Sequence, residues 1–418
     1  MSLREVGVLA LVVATVAGAA RANEQLTLAT ATERALALSS DIGAAEAEVR
    51  AAQARLEGAA TFLAANPELS ARVGPRDNAG LRTIDYEAAL SQRVELGGQR
   101  GVRLAATRAS VGAAEARLAA TRSRVAAEVR EALGRASAAS QRAAIALESQ
   151  RFSEQAAAAA ERRFQAGDVA RIDVNSARVE RGRAARGALE AEQERLAAVA
   201  ELELLLGFEP GMAPEVAPGL EDGSSLPESP LDDLVREALA SRRDIAAARL
   251  DVAAAEEEAS LAARSVIPSP ALGISVAREE KATIVLGTLS IELPVFGRNQ
   301  GERGATVARV QQTRIVVAAL ERRVTQEVRL AAERARSVRR LLDSYDPATA
   351  AALTEDLALA TRAYVAGRIE FLRYQQVRRD AVDARRDRID AVEALNRAAA
   401  QLDRALGRGP ARHPTPGG

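Results

Sequence analysis

Apolar residues recur every seven positions in the long proline-free stretches of the chain. Four short series share this spacing: Leu104, Val111, Leu118 and Val125; Val310, Val317 and Val324, with Val338 two heptads further on; Leu189 and Leu196; Val382 and Ile389. Such spacing places the apolar side chains on one face of a helix, against a partner helix. The sequence therefore predicts long packed helices. The longest runs from about Gln99 to Ala166 and spans roughly 100 Å.

Four shorter segments alternate between apolar and polar residues instead. Their apolar positions are Leu69, Ala71 and Val73; Ile84, Tyr86, Ala88 and Leu90; Leu272, Ile274 and Val276; Val285, Leu289, Ile291 and Leu293. Alternation predicts strands, here two hairpins over 66–96 and 268–295. Each strand has roughly the 9–13 residues that a tilted membrane-spanning strand needs. A lone hairpin is only marginally stable, so these strands must find further partners.

Proline marks the ends of the predicted elements. Residues 208–230 contain five prolines, at 210, 214, 218, 227 and 230. This segment cannot form one regular element and is predicted to be a linker. The last residues, 408–418, are rich in proline and glycine and are predicted to be a disordered tail.

The chain is an internal repeat. At an offset of 200, residues 161–207 align without a gap on 361–407, matching Gly167 with Gly367 and Phe164 with Tyr364. At an offset of 203, residues 34–49 match 237–252. The sequence therefore predicts two repeats, 23–207 and 231–407. Each repeat is expected to contain a helix, a strand hairpin, a long helix, a turn and a second helix.

The paired glycines predict where the long helices end. A glycine that recurs with an aromatic residue before it and a β-branched residue after it is typical of a left-handed position that ends a helix. We therefore expect helical-hairpin tips at 164–169 and 364–369. The alternative is a continuous helix through either glycine, since one glycine costs a helix only about 1 kcal/mol.

The N-terminus is typical of a secretory signal peptide. Arg4 precedes an apolar stretch from Val6 to Ala17, and Ala20-Arg21-Ala22 is a small-x-small cleavage pattern. The apolar stretch is shorter than the roughly 18 residues of a spanning helix. We expect residues 1–22 to be removed on export.

Composition excludes several kinds of site. The 57 basic and 57 acidic residues cancel, so no net field attracts nucleic acid. There is no cysteine, and the single histidine, His413, lies in the tail. We therefore predict no metal site, no cofactor and no catalytic group. The many Glu and Arg residues are expected to form solvated helix faces.

The chain resembles the TolC-like outer-membrane efflux family over essentially its whole length after the signal peptide. The tandem repeat carries the resemblance, together with the turn PVFGRNQGE (294–302). So do the segments RRFQAGDVARIDVNSA and RAYVAGRIEFLRYQQV, which are similar to that family's two hairpin tips. FGRNQGE is similar to the heavy-metal branch, whose members serve cobalt-zinc-cadmium or copper-silver exporters.

The resemblance implies a mainly α fold with a small β part. Long antiparallel hairpins would form a periplasmic α-barrel, and four strands per chain would contribute to a twelve-stranded transmembrane β-barrel in a homotrimer. It implies a bacterial outer-membrane location with a long periplasmic extension and contact with outer-membrane lipid. Its implied partners are a periplasmic adaptor and an inner-membrane pump of the resistance-nodulation-division class. The chain would be the exit duct for that pump.

The resemblance also assigns candidate site residues. The adaptor-docking tips are expected at Phe164, Gly167, Asp168 and Val169, and at Tyr364, Gly367, Arg368 and Ile369. The turns from strand to helix are expected at Gly97, Gly101, Gly297, Asn299 and Gly301.

An alternative function is an exported coiled-coil scaffold without a channel. It accounts for the helices but not for strand hairpins at the same place in each repeat. An envelope enzyme is disfavoured, because the sequence contains no catalytic constellation.

Overall fold

A computed structural model describes residues 26–78, 81–212, 216, 229–279, 282–345 and 347–408. The predicted signal peptide 1–22 lies outside the described residues, as do most of the linker and residues 409–418. Helices predominate, and four strands form one sheet.

The same order of elements occurs twice, which confirms the tandem repeat. Repeat 1 contains α1 (Leu28–Leu38), α2 (Ser40–Ala60), β1 (Glu68–Asn78), β2 (Leu81–Arg93), α3 (Gln99–Gln165) and α4 (Arg171–Leu206). Repeat 2 contains α5 (Leu231–Ser241), α6 (Arg243–Arg264), β3 (Ala271–Glu279), β4 (Ala282–Ser290), α7 (Gln300–Asp343), α8 (Pro347–Val365) and α9 (Phe371–Leu406).

The long helix of repeat 1 is continuous, whereas its counterpart in repeat 2 is interrupted. Helix α3 covers 67 residues from Gln99, as the sequence predicts. The single long helix predicted for repeat 2 is wrong, because α7 ends at Asp343 and α8 begins at Pro347. Pro347 lacks the N–H that would donate to the Asp343 carbonyl, and its ring would clash with that carbonyl.

The single helix predicted before each hairpin is also wrong. Each is split at one residue with extended ψ, Ser39 (ψ 122°) between α1 and α2 and Arg242 (ψ 126°) between α5 and α6. These residues are equivalent at the offset of 203. Neither is glycine or proline, so no local signal marks the break.

Side chains at or near the breaks donate hydrogen bonds to the carbonyl groups at the ends of α4 and α9. In repeat 1, Arg34 donates from Nε to the Leu206 carbonyl (2.8 Å). In repeat 2, the Ser241 hydroxyl donates to the Leu406 carbonyl (2.8 Å), and Arg242 donates to the Ala405 carbonyl (3.2 Å). These bonds satisfy groups that the last turn of a helix leaves unpaired.

Each repeat has its own apolar core beside its break. In repeat 1 this core joins α1, α3 and α4 around Val129 and Leu202. In repeat 2 it joins α5, α7 and α9 around Val328 and Leu402. Arg408, the first residue of the predicted tail, packs against α5 and donates two hydrogen bonds to Glu237.

The seam predicted from Leu189 and Leu196 has no partner among the residues that the structure describes. Their side chains remain 68% and 53% exposed on α4. The heptad positions Val125 and Val324, by contrast, are buried as predicted.

The sheet is antiparallel with strand order β1-β2-β3-β4. The central pair β2 and β3 joins the two hairpins, with Leu90 opposite Ile274. The predicted alternation to Leu293 runs too far, since β4 ends at Ser290, opposite the first residue of β3. One face carries exposed apolar side chains: Leu69, Val73, Ile84, Tyr86, Leu90, Leu272, Ile274, Val276, Val285 and Leu289.

Candidate docking site at the helical tips

The first tip is a glycine-ended turn between α3 and α4. Gly167 has φ 82°, in the left-handed region. Its N–H donates to the Phe164 carbonyl (3.0 Å), and the Asp168 N–H donates to the Arg163 carbonyl (2.8 Å). These two bonds form a Schellman motif, which ends a helix and satisfies its last carbonyl groups.

The second tip has the same geometry between α8 and α9. Gly367 has φ 74°, its N–H donates to the Tyr364 carbonyl (3.0 Å), and the Arg368 N–H donates to the Ala363 carbonyl (2.8 Å). The continuous-helix alternative is therefore excluded at both glycines. A Cβ on Gly167 would meet no atom within 4 Å, so the backbone there is open to a partner.

The aromatic side chains of the two tips differ in how deeply they are buried. Phe164 is half-buried, with the Arg171 guanidinium 4.3 Å above its ring. Tyr364 is buried and stacks on Tyr374 with ring centroids 5.1 Å apart. Val169 and Ile369 are half-buried in the same relative place.

Arg163 and Phe371 join the tips, and the sequence analysis missed both. The Arg163 guanidinium lies 5.6 Å from the Tyr364 ring centroid and 3.7 Å from where a Gly367 Cβ would be. Phe371 packs against the small apolar clusters of both tips. The concentration of aromatic residues at 364–374, in a chain with 2% aromatic content, is the signal that would have found Phe371.

Asp168 and Arg368 are the charged residues at the tips. Both are exposed, and neither makes an ion pair among the residues that the structure describes. They occupy equivalent positions with opposite charge. The two tips therefore offer a partner the same backbone shape with different electrostatics.

A buried polar network lies above the tips and fixes how the two hairpins pack. Arg378 on α9 donates to Ser149 on α3 (2.7 Å) and to Glu180 on α4. Tyr374 donates its hydroxyl hydrogen to the Phe152 carbonyl (3.2 Å). Burial raises the pKa of Tyr374 to about 12, against the opposing effect of the Arg378 charge.

Each turn from strand to helix contains one left-handed residue. Asn299 has φ 52° and begins α7, and its amide donates to the Ser265 hydroxyl (2.7 Å). In repeat 1 the left-handed residue is Gly98 (φ 70°), which the sequence analysis missed. Gly97 is instead a point of close approach, where a Cβ would lie 2.9 Å from Ile267.

The other glycines predicted at these turns have no conformational role. A Cβ on Gly101, Gly297 or Gly301 would meet no atom within 4 Å, and none of the three has positive φ. Gly101 and Gly301 lie inside the first turns of α3 and α7.

Among the described residues, no group of three or more His, Cys, Asp and Glu side chains is arranged to hold a metal ion. No helix in the described ranges is both long and apolar enough to cross a membrane.

Comparisons with known proteins agree with this architecture. The family described as Outer membrane efflux protein matches residues 31–208 and 234–408, one stretch per repeat. The cobalt-zinc-cadmium resistance protein CzcC of Cupriavidus metallidurans is 25% identical over 346 residues, 82% of this chain and 81% of CzcC.

Solved channels have the same fold. The outer-membrane channel OprN superposes with a TM-score of 0.75 at 22% identity, over 91% of this chain and 90% of OprN. CusC superposes with a TM-score of 0.74 at 21% identity, over 91% of this chain and 92% of CusC. The Campylobacter jejuni CmeC channel gives 0.76 at 16% identity, over 93% of this chain and 89% of CmeC. These superpositions confirm a TolC-like fold for the chain.

Proposed function

The chain belongs to the outer membrane efflux protein family, and we propose that it is the exit duct of a tripartite efflux system. It is an outer-membrane channel with a periplasmic extension and is not an enzyme. In the proposed system an inner-membrane pump of the resistance-nodulation-division class supplies the energy. A periplasmic adaptor joins that pump to the duct, which conducts passively.

The observation that carries the proposal is a four-stranded sheet with two open edges. Strands β1 and β4 each have one partner. Open edges are not tolerated in hydrocarbon, because their N–H and C=O groups would be unpaired. Three copies would close one barrel of twelve strands. The long helices would continue it as a periplasmic α-barrel.

The two faces of the sheet fit lipid on one side and water on the other. The apolar face described above would contact outer-membrane lipid. On the opposite face Arg76 makes ion pairs with Asp85 (2.5 Å) and Glu279 (2.7 Å). Ion pairs across three strands suit a water-filled lumen.

Fractionation separates this proposal from a scaffold without a channel. A barrel remains with outer membranes through a high-salt wash, because its lipid contact is apolar. A scaffold held by charge is released by the same wash. Recovery of the protein in the wash would contradict the duct.

The tips are the proposed docking site for the adaptor. They lie at the ends of the helical hairpins, away from the sheet, and expose backbone at Gly167 and Gly367. Bulk at these glycines would keep an adaptor hairpin from approaching. We expect a Gly167→Trp, Gly367→Trp double variant to lose export while the channel still reaches the outer membrane.

The matched control is Gly58→Trp, which adds the same bulk at an exposed glycine of α2 with no atom within 4 Å of its Cβ position. Its export should stay at the wild-type level. Export assays require equal outer-membrane abundance of all variants. Wild-type export by the double variant would show that the adaptor docks elsewhere.

We propose cobalt, zinc and cadmium cations as the cargo, on the similarity to CzcC. Deletion of the gene should raise cellular content of these metals after a metal challenge. Unchanged metal content, with accumulation of an organic dye instead, would assign the channel to another substrate class. Because the chain has no cysteine and His413 is its single histidine, the purified protein should bind none of these ions with submicromolar affinity.

A further inference from the structure

The apolar face of the sheet carries charged side chains at one end only. In the strands that the structure describes, the charged residues on this face are Asp77, Arg82 and Arg278. All three lie near the end where β1 is joined to β2 and β3 to β4, away from the strand ends that continue into helices. The helices form the periplasmic extension, so these charges lie at the extracellular end of the proposed barrel.

Register and exposure place the Arg278 side chain on the apolar face. Arg278 lies opposite Tyr86 on β2 and opposite Thr283 on β4, and side chains directly opposite each other share a face. Val276, on the same face of β3, is 46% exposed, whereas the intervening Ala277 is 7% exposed. The Arg278 side chain is exposed in the same way as Val276. It therefore points towards lipid and not into the lumen.

Arg278 has no carboxylate partner in the described part of the chain. The neighbouring Glu279 points to the opposite face, where it pairs with Arg76 (2.7 Å). Arg82, by contrast, pairs with Asp77 (3.4 Å) on the apolar face. A charged side chain on the lipid-facing side of a barrel is tolerated near the membrane surface but not at its midplane. The Arg278 guanidinium is thus available to an anion at the membrane surface.

The height of Arg278 in the bilayer follows from the apolar band below it. Leu289 is exposed near the end of β4, and Ile291 and Leu293 remain exposed beyond it. Leu293 is ten positions from Thr283, the residue opposite Arg278. Ten extended residues span about 33 Å, which a strand tilt of about 40° reduces to a height of about 25 Å. This height equals the apolar band of outer-membrane barrels, so Arg278 lies at the extracellular boundary if Leu293 lies at the periplasmic one.

Tyr86 marks the same level independently. It is the only aromatic residue in the four strands that the structure describes, and it lies directly opposite Arg278. Aromatic residues concentrate where a barrel meets the lipid headgroups. The planar donors of a guanidinium fit the oxygens of a phosphate group. Tyr86 and Arg278 together therefore fit a lipid headgroup that carries phosphate.

We infer that Arg278, with Tyr86 beside it, binds a phosphate group of the glycolipid in the extracellular leaflet. The lipid at this end of the barrel is the phosphorylated glycolipid of bacterial outer membranes, whereas phospholipids face the periplasm. The inference rests on the proposed barrel, because only a closed barrel holds the sheet in the bilayer. Three copies of the chain give three such sites around the barrel.

Native mass spectrometry of the purified particle in phosphatidylcholine nanodiscs tests the site. Lipid A with two phosphate groups is added, and the bound molecules are counted from the mass. We expect the wild type to bind lipid A and Arg278→Gln to bind it about tenfold more weakly, because a charge-assisted hydrogen bond is lost. Arg278→Lys keeps the charge and should retain most of the binding.

The matched control is Arg72→Gln, which removes an arginine on the opposite face of the sheet. Arg72 pairs with Glu87 (3.7 Å) and would face the lumen. This variant should bind lipid A as the wild type does. Lipid A without phosphate groups tests the chemistry on the unaltered chain, and it should bind the wild type no better than it binds Arg278→Gln.

Equal binding of lipid A by the wild type and Arg278→Gln would overturn the site and leave the duct in place. Phosphatidylglycerol that binds as tightly as lipid A would overturn the glycolipid as its occupant. The same spectra give the mass of the protein itself, so a particle other than a trimer would contradict the proposed duct separately.

Discussion

Helices α4 and α9 occupy equivalent places in the two repeats, and each has 36 residues. Helix α9 buries 14 of them, whereas α4 buries eight. The difference arises because α9 has α3 on one side and α7 and α8 on the other, while no described residue covers one side of α4. Apolar side chains such as that of Leu196 are exposed on that side of α4. Duplication thus yields two equivalent helices, of which only α9 is packed on both sides by described residues.

The largest expected contrast concerns Arg378 and its repeat equivalent Arg178. Arg378 and its partner Glu180 are 7% and 12% exposed, whereas Arg178 is 53% exposed and pairs with Glu161. Arg378→Met leaves a buried carboxylate without its main partner and should cost about 3–5 kcal/mol. Arg178→Met should cost under about 1 kcal/mol. Urea unfolding of the solubilised protein measures both, and equal losses would contradict the contrast.

The next effect is a dependence of the unfolding free energy on pH. It arises from Tyr374, whose equivalent in repeat 1 is Val174. Its folded pKa of about 12 exceeds the usual value of 10, so the folded state holds this proton more tightly. Its stabilising contribution is complete below pH 10 and is lost as pH rises towards 12. The loss is at most about 3 kcal/mol, at 1.36 kcal/mol per pKa unit.

The Tyr374→Phe variant removes this titration and isolates the effect. Its unfolding free energy should fall less between pH 10 and 12 than that of the wild type. Parallel curves for the two proteins would show that Tyr374 does not hold its proton in the folded state. Val174→Ala, a core change without a titrating group, should leave the pH dependence unchanged.

A third contrast compares the glycines that end α9 and α3. Both Gly407 and Gly167 have positive φ, so alanine at either adds a backbone cost of about 1–2 kcal/mol. A Cβ on Gly407 would also lie 2.7 Å from Cγ of Arg242, whereas a Cβ on Gly167 would meet nothing within 4 Å. Gly407→Ala should therefore lower the thermal midpoint more than Gly167→Ala. The reverse order would contradict the packing of α9 into the break.

The smallest effect concerns the residues beside the two helix ends. Arg408 pairs with Glu237 in repeat 2, where repeat 1 has Phe208 with the Arg34 guanidinium 3.8 Å from its ring centroid. Glu237→Gln should cost under about 1 kcal/mol, and less still at about 1 M salt. The cost of Phe208→Ala should persist in salt, because it is mainly lost apolar contact. A salt-insensitive Glu237→Gln effect would be the contrary result.

Patterns that repeat in the sequence predicted the fold well. The alternation of apolar residues predicted all four strands. The heptad spacing, together with Gly167 and Gly367, predicted the long helix and both tips. Each of these signals is local, since it depends on neighbours within one or two turns. The docking role of the tips remains a prediction.

The features that sequence analysis missed depend on contacts between distant segments. The breaks at Ser39 and Arg242 form because the ends of α4 and α9 pack there and take hydrogen bonds, which no local residue indicates. Arg163 contacts Tyr364 and Gly367 of the second tip only because the second hairpin packs beside the first. Pro347 is a local signal for the break between α7 and α8, because proline cannot continue a helix.

Electron cryo-microscopy of the detergent-solubilised protein tests the central claim most directly. The account predicts a particle with one three-fold axis, a closed barrel of twelve strands and a continuous tunnel. A folded monomer or dimer with β1 and β4 unpaired would contradict the claim that three copies of this chain form an efflux duct.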